Sequence, residues 1–295
     1  SSSAKNTLSD LFVSQAMRRQ VVKLVKVTTI ANSINALIKY KINALLTTDQ
    51  AGQPIGVLSK TDIMSAYYAG IPIDSPVEAI MSKPPLFCHA DDSIEQALTV
   101  RRSMGIYRLY VVDNTNNQVV GALAYPDIVG VLYQYCHNCE YSHLRRKGKT
   151  EADSIKRFLV KEIMTKDVKA VCKDEPLLQA MEELSMYRFG AILVEDDDKN
   201  PCGVMSKTDL TLAYKHGVDP QMSAETIMSF PVQSCGADEL LENAIKKMIF
   251  SDVHRLFVHE STPDALVGVI SLSDAARTRS GSCHACVSSR IKLDT

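Results

Sequence analysis

The sequence predicts an α/β protein built from four copies of a β-α-β-β-α unit, arranged as two equivalent halves. Three observations predict it. "GVLSKTDI" (Gly56–Ile63) returns as "GVMSKTDL" (Gly203–Leu210), 147 residues later (203 − 56). "GALAYPDI" (Gly121–Ile128) and "GVISLSDA" (Gly268–Ala275) share that offset, as do "EAIMS" (Glu78–Ser82) and "ETIMS" (Glu225–Ser229). Chance matches would not hold one register, so the chain is an internal duplication. Each half also repeats within itself. The motif ends on Asp62, Asp127, Asp209 and Asp274, at separations of 65, 82 and 65 residues.

The elements are most legible in the fourth unit. "PVQSC" is a short extended segment, and "DELLENAIKKMIFSD" places Leu240, Leu241, Ala244, Ile245, Met248 and Ile249 at helical spacing. "HRLFVHE" is apolar and β-branched, the turn-like "STPD" follows, and "ALVGVIS" is a second strand. "LSDAARTR" opens a helix with Ser273 or Asp274 at its start. The second unit repeats this order in "PLFCH", "SIEQALTVRRSMG", "RLYVVD", "QVVGALA" and "PDIVGVLYQYC". One such unit buries little apolar surface alone, so the units are expected to pair. Between the halves, "NCEYSHLRRKGKTEADSIKRF" is polar and basic and reads as a partly helical linker.

Composition narrows the function. Hydrophobic residues make up 45% and charged residues 23% of 295 residues, the balance of a soluble globular chain. A net charge of −1 argues against nucleic acid as a main partner. No apolar run reaches the roughly 20 residues of a membrane span, and "SSSAKNTLSD" lacks the order of a signal peptide. Eight cysteines without a secretion signal favour a reducing compartment, so the expected location is cytoplasmic. No nucleophile–base pair, phosphate-binding Gly-rich loop or HExxH stretch is present, and no catalysis is expected.

The β-α-β-β-α unit, its leading Ile-Met-Ser/Thr and its closing Gly-h-h-[Ser/Thr]-x-x-Asp resemble cystathionine-β-synthase (CBS) domains. The resemblance covers about residues 10–280 and implies two tandem (Bateman) modules forming a flat disc. The domains it implies are residues 10–70, 71–137, 158–217 and 218–280, with a linker at 138–157 and a cysteine-containing tail at 281–295. It further implies a regulatory ligand, an adenine nucleotide (AMP, ADP or ATP) or S-adenosylmethionine, in clefts between paired domains. The signal would pass to an effector protein that the sequence does not identify, with homodimerisation left open. In nucleotide-binding members the motif aspartate accepts from the ribose hydroxyls, and the Ser/Thr three residues earlier lies near ribose or phosphate. The matching pairs are Ser59 with Asp62, Ser206 with Asp209, and Ser271 with Asp274. Asp127 is the fourth candidate ribose acceptor, in a unit that departs from the pattern because Ala124 replaces the hydroxyl and Pro126 stands beside the aspartate. "VHRLFV" resembles the phosphate-contacting stretch of the AMP-activated kinase's regulatory subunit, through His254 and Arg255, and "IYRLYV" offers Arg108. For each aspartate the plain alternative is a helix cap, and for each arginine a solvated edge residue. His89 and His259 are read as surface residues.

"CHNC" (Cys136–Cys139) and "CHAC" (Cys283–Cys286) also stand 147 residues apart, each starting nine residues after a motif aspartate. Cys136, Cys139, Cys283 and Cys286 would supply four sulfurs to zinc or an iron–sulfur cluster, making a metal-dependent scaffold the alternative function. Reduced, unligated tails are the plain reading. Cys88 and Cys235, again in register, read as small apolar core or pocket-lining residues, and Cys172 and Cys202 as incidental.

Overall fold

The β-branched runs of each unit pair into a three-stranded sheet in the computed structural model, which describes residues 11–104, 108–124, 126–131, 158–251, 253–272 and 274–275. Unit 1 holds β1 (Lys23–Val25), α1 (Ile30–Lys39), β2 (Ala44–Thr48), β3 (Pro54–Ser59) and α2 (Lys60–Ala69). Unit 2 holds β4 (Phe87–His89), α3 (Ile94–Met104), β5 (Arg108–Val112) and β6 (Val119–Ala124), followed by a helical stretch at 126–131. Unit 3 repeats unit 1 with β7 (Ala170–Cys172), α4 (Leu177–Tyr187), β8 (Ala191–Glu195), β9 (Pro201–Ser206) and α5 (Lys207–Lys215). Unit 4 has β10 (Ser234–Gly236), α6 (Leu241–Phe250), β11 (Arg255–His259) and β12 (Leu266–Ser271), with helix resuming at Leu272.

One geometry recurs in every unit. The first strand runs parallel to the second across the intervening helix, at an offset of 23 residues in all four (46 − 23, 110 − 87, 193 − 170, 257 − 234). The third strand then returns antiparallel with a register shift near the end of the second. Helix α1 shows why the pattern folds locally. The Thr29 hydroxyl accepts from the Asn32 N–H at 3.2 Å, satisfying one of the unpaired donors of the first turn. Ile30, Ile34 and Leu37 then align on one fully buried face.

The short stretch ahead of each first strand does not pack on its own unit. Residues 12–18 bridge to unit 2 through Phe12–Ser93 and Arg18–Ala122, while residues 76–82 bridge back to unit 1 through Thr29–Pro76 and Val57–Ser82. The second half repeats the exchange through Leu159–Leu240 and Thr165–Val269, and through Pro176–Ser223 and Val204–Ser229. A methionine in each stretch lies over the glycine of the third strand it meets. A Cβ on Gly56 would stand 2.5 Å from Met81 Sδ, and one on Gly121 2.7 Å from Met17 Sδ. Gly203 under Met228 and Gly268 under Met164 are equally tight. The motif glycine is therefore a close-approach residue that lets the paired unit in.

Apolar faces then merge across the halves. Units 1 and 3 share one core, joined by Val77 and Ala224 of the leading stretches. Units 2 and 4 share another, joined by Val13 and Val160. Leu46, Tyr110 and Ala122 close the seam between the sheets of units 1 and 2. Where α2 meets α5 the contacts are reciprocal: Lys60 Nζ donates to Thr208 Oγ1 at 2.8 Å, and Lys207 Nζ to Thr61 Oγ1 at 2.9 Å. Reciprocal contacts are those of a two-fold axis, and the 147-residue offset links Lys60 to Lys207 and Thr61 to Thr208. Among the described residues no helix is long and apolar enough to cross a membrane.

Candidate functional site

Each motif serine is the residue before its helix, in extended backbone, so its side chain turns back onto the first turn. Ser59 Oγ accepts from the Asp62 N–H at 3.1 Å, and Asp62 Oδ2 accepts from the Ser59 N–H at 2.9 Å. Ser206 and Asp209 repeat this at 3.1 and 2.8 Å. Ser271 Oγ accepts from the Asp274 N–H at 3.0 Å and donates to Asp274 Oδ2 at 2.7 Å. In unit 2 only the backbone half survives, with the Ala124 N–H donating to Asp127 Oδ2 at 2.8 Å. The helix-cap reading thus holds for Asp62, Asp209 and Asp274 with their serines, and in its backbone half for Asp127.

The second carboxylate oxygen meets the paired unit. Ser82, which follows Met81 in the stretch leading to unit 2, donates to Asp62 Oδ1 at 2.8 Å. Ser229, following Met228, donates to Asp209 Oδ1 at 2.5 Å. Arg18, following Met17, takes that place on Asp127, with Nε 2.7 Å from Oδ1 and only 8% of the aspartate side chain exposed. Thr165, following Met164, is the unit 4 equivalent. Every such aspartate stands where the third strand, the first turn of the next helix and a stretch of the paired unit converge. Sequence reasoning passed over Arg18. Aligning Met17 with Met164, 147 residues on, would have exposed it as an arginine where the other three stretches carry a hydroxyl.

The predicted arginines open their strands, directly opposite the cap residues. Arg108 pairs in register with Ala124, and Arg255 with Ser271. Arg255 also lies over the Phe189 ring at 4.6 Å, and its Nη1 approaches the Arg188 carbonyl at 3.5 Å, tying unit 4 to unit 3. His254 is half-buried beside it, and its carbonyl accepts from the Leu272 N–H at 2.7 Å. Lys207 sits amid these groups. Its burial, and then the Arg255 guanidinium, pull its ammonium below the usual lysine range, while Asp62 opposes them.

Between units 1 and 2 runs a cleft of about 70 Å³, lined by Arg18, Lys41, Arg108, Tyr40 and Tyr110 among others. Lys41 holds φ at 52°, and its counterpart Arg188 holds 54°, a left-handed backbone that usually takes Gly or Asn. Cys88 and Cys235 lie in the shared core of units 2 and 4, 4% and 2% exposed. Burial lifts their thiols to about 12 and about 11. His259, read from the sequence as a surface residue, is half-buried, with Ser234 Oγ 2.6 Å from its Nδ1. The four cysteines of the CxxC pairs, Cys136, Cys139, Cys283 and Cys286, and the linker lie outside the described residues.

A family model described as CBS domain matches residues 13–69, 77–134, 160–216 and 224–281. The L-aspartate semialdehyde sulfurtransferase of Methanocaldococcus jannaschii is 27% identical over 146 residues, 48% of this chain and 24% of that protein. Protein SDS23 of Phaeosphaeria nodorum is 24% identical over 211 residues, 65% of this chain and 37% of that protein. The chain thus spans well under half the length of either relative. Among solved structures, protein MJ1225 of Methanocaldococcus jannaschii, described as a candidate archaeal homolog of g-AMPK, aligns with a TM-score of 0.70 at 15% identity. The alignment covers 91% of this chain and 99% of that one. A conserved protein from Pyrococcus horikoshii aligns at 0.52 and 19% identity, covering 91% of this chain and 100% of that one.

Proposed function

Because the chain belongs to the CBS domain family, with all four units matched, we propose that it is a non-enzymatic regulatory protein that senses an adenosyl ligand. The ligand class follows from the family resemblance: AMP, ADP, ATP or S-adenosylmethionine. One observation carries the reading. Of the aspartates that would accept ribose hydroxyls, Asp62 and Asp209 each hold, through their second oxygen, a stretch belonging to the paired unit at Ser82 and Ser229, as Asp127 holds Arg18. A ligand that competes for that oxygen changes how two units are held together. It therefore shifts the population of their relative orientations by its differential affinity. Asp62, Asp209 and Asp274, with Ser59, Ser206 and Ser271, are the proposed ribose-side residues, and Arg255, His254 and Arg108 the proposed phosphate-side ones.

Calorimetry with AMP, ADP, ATP, S-adenosylmethionine and NADH tests this. No heat from any of them at high micromolar concentration would sink the nucleotide claim. A second reading, a zinc or iron–sulfur scaffold, is favoured by the two CxxC pairs in one register. Metal analysis of anaerobically purified protein decides it: a stoichiometric metal lost on Cys283→Ser supports it, and metal-free folded protein rejects it.

A further inference from the structure

The sequence shows no nucleophile beside a base, yet strand pairing in unit 4 makes such a pair from residues 25 apart. Strand β10 runs parallel to β11, with Ser234 opposite Phe257 and Gly236 opposite His259. Alternate residues of a strand share one face, so Ser234 and His259 project to the same side. Gly236 between them has no side chain, and the imidazole lies against it with Nδ1 2.6 Å from Ser234 Oγ. Glu239 flanks the same glycine. Its Oε2 accepts from the Gly236 N–H at 3.2 Å, and a Cβ on Gly236 would stand 3.7 Å from Glu239 Cδ and 3.8 Å from His259 Nε2. Lys247 Nζ donates to the Ser234 carbonyl at 2.8 Å. The equivalent unit shows that the fold does not require this group. At the positions of Ser234, Lys247 and His259, 147 residues earlier, unit 2 has Phe87, Val100 and Val112.

We propose that Ser234 is an activated nucleophile that takes up an acyl group from a small activated ester or thioester, with His259 as its base. A serine within hydrogen-bond reach of a histidine, the histidine oriented by a third group, is the arrangement of acyl-accepting nucleophiles. The Glu239 carboxylate favours the imidazole proton on Nε2, which leaves Nδ1 to accept from the serine hydroxyl. In the step, Ser234 Oγ bonds to the carbonyl carbon and its proton passes to His259 Nδ1. The bond from that carbon to the leaving oxygen or sulfur breaks, and the leaving group takes the proton from the imidazole. Lys247 tethers the backbone of Ser234 and puts a positive charge beside the nucleophile. Ser234 stands on an edge strand, and both it and His259 are half-buried rather than sealed in the shared core. No motif aspartate or inter-unit arginine takes part, so this reactivity goes beyond the adenosyl reading and stands apart from it.

The test is treatment of the full chain with p-nitrophenyl acetate, an oxygen ester, and in parallel with S-phenyl thioacetate. Peptide mapping by mass spectrometry then reads the acetyl group at each residue. Ser234 is expected to be acetylated ahead of every other serine, with a burst of leaving group that matches the protein present. The faster donor names the class of leaving group. His259→Gln should slow acetylation of Ser234 about a hundredfold, and Ser234→Ala should abolish the burst. Continued release that is lost with Ser234→Ala supports the proposal too, since water then removes the acyl group. Melting curves show whether each variant folds, and wild-type chain unfolded in urea is a control that needs no variant: Ser234 should lose its preference there. No acetyl group on Ser234, labelling at the same rate in urea, or labelling untouched by His259→Gln overturns the proposal. Affinity for an adenosyl ligand is read separately by calorimetry, so either claim fails without the other.

Discussion

Tyr67 and Tyr214 stack with ring centroids 4.9 Å apart and planes at 16°, and each hydroxyl reaches across to the other's unit. Tyr67 donates to the Val218 carbonyl and Tyr214 to the Ile71 carbonyl, both at 2.5 Å. The two tyrosines and the two carbonyls are related by the same 147-residue offset. This pair is the clearest sign that the duplication became an interface between units 1 and 3.

Removing one hydroxyl tests that interface. Tyr214→Phe keeps the stack but leaves a carbonyl unpaired, and should lower stability by about 1–3 kcal/mol. Urea unfolding of Tyr67→Phe, Tyr214→Phe and the double variant measures it. Loss of less than about 0.5 kcal/mol from both singles would show that the bonds contribute little.

High pH should act on the same place. Burial first, and Asp219 second, push the Tyr67 hydroxyl up to about 12 from an ordinary 10.0. Burial pushes Tyr110 up to about 12 as well. Both are raised in the folded state, so the unfolded chain releases these protons first. Their contribution is whole below pH 10 and is lost as pH rises toward about 12. Melting temperatures across that window should fall steeply, and less steeply in Tyr67→Phe.

The glycines under the methionines give a steric prediction. A Cβ on Gly268 would stand 2.6 Å from the Thr165 carbonyl oxygen, which is backbone and cannot swing away. Gly268→Ala should therefore cost about 1–3 kcal/mol by pushing residues 159–165 off unit 4. Gly190 has nothing within 4 Å, so Gly190→Ala is the control expected to fall within about 0.5 kcal/mol of wild type.

Ligand affinity should separate the aspartates. Asp209→Ala removes a cap worth about 1 kcal/mol and should also weaken an adenosyl ligand. Asp127→Ala should leave that ligand almost unaffected, because Arg18 already occupies Asp127. Calorimetry with AMP beside denaturant unfolding separates binding from stability. Equal losses in affinity from both variants would contradict the ribose-side assignment.

Thiol chemistry offers a check on the core. Cys88 and Cys235, with thiols lifted to about 12 and about 11 by burial, should resist iodoacetamide at neutral pH in the folded protein. Peptide mapping by mass spectrometry reads each cysteine separately. Rapid labelling of either residue would mean that the core of units 2 and 4 opens readily.

Much of the fold was legible because its signals are local. The helix read from "DELLENAIKKMIFSD" forms as Leu241–Phe250, and "RLYVVD" forms the strand Arg108–Val112. Ser59 and Asp62, three residues apart, were readable as a cap or a site because spacing alone brings them together. Arg18 and Asp127 are 109 residues apart and were not. Nothing in either one's neighbourhood sets their meeting. It follows from Met17 seating over Gly121, a packing decision made by the whole module.

The sequence by itself determined the four units, their β-α-β-β-α order and the 147-residue equivalence of the halves, since periodicity and turn chemistry act within a few residues. A symmetric repeat cannot say which copy packs on which. Only the tertiary structure decided that unit 1 shares its core with unit 3 and unit 2 with unit 4, and that the leading stretches cross between paired units. The same packing turned one motif aspartate toward an arginine and left its neighbouring cleft lined with positive charge. The physical reason is that close packing is a property of surfaces from distant segments, fixed by volume, burial and charge once the chain has closed on itself.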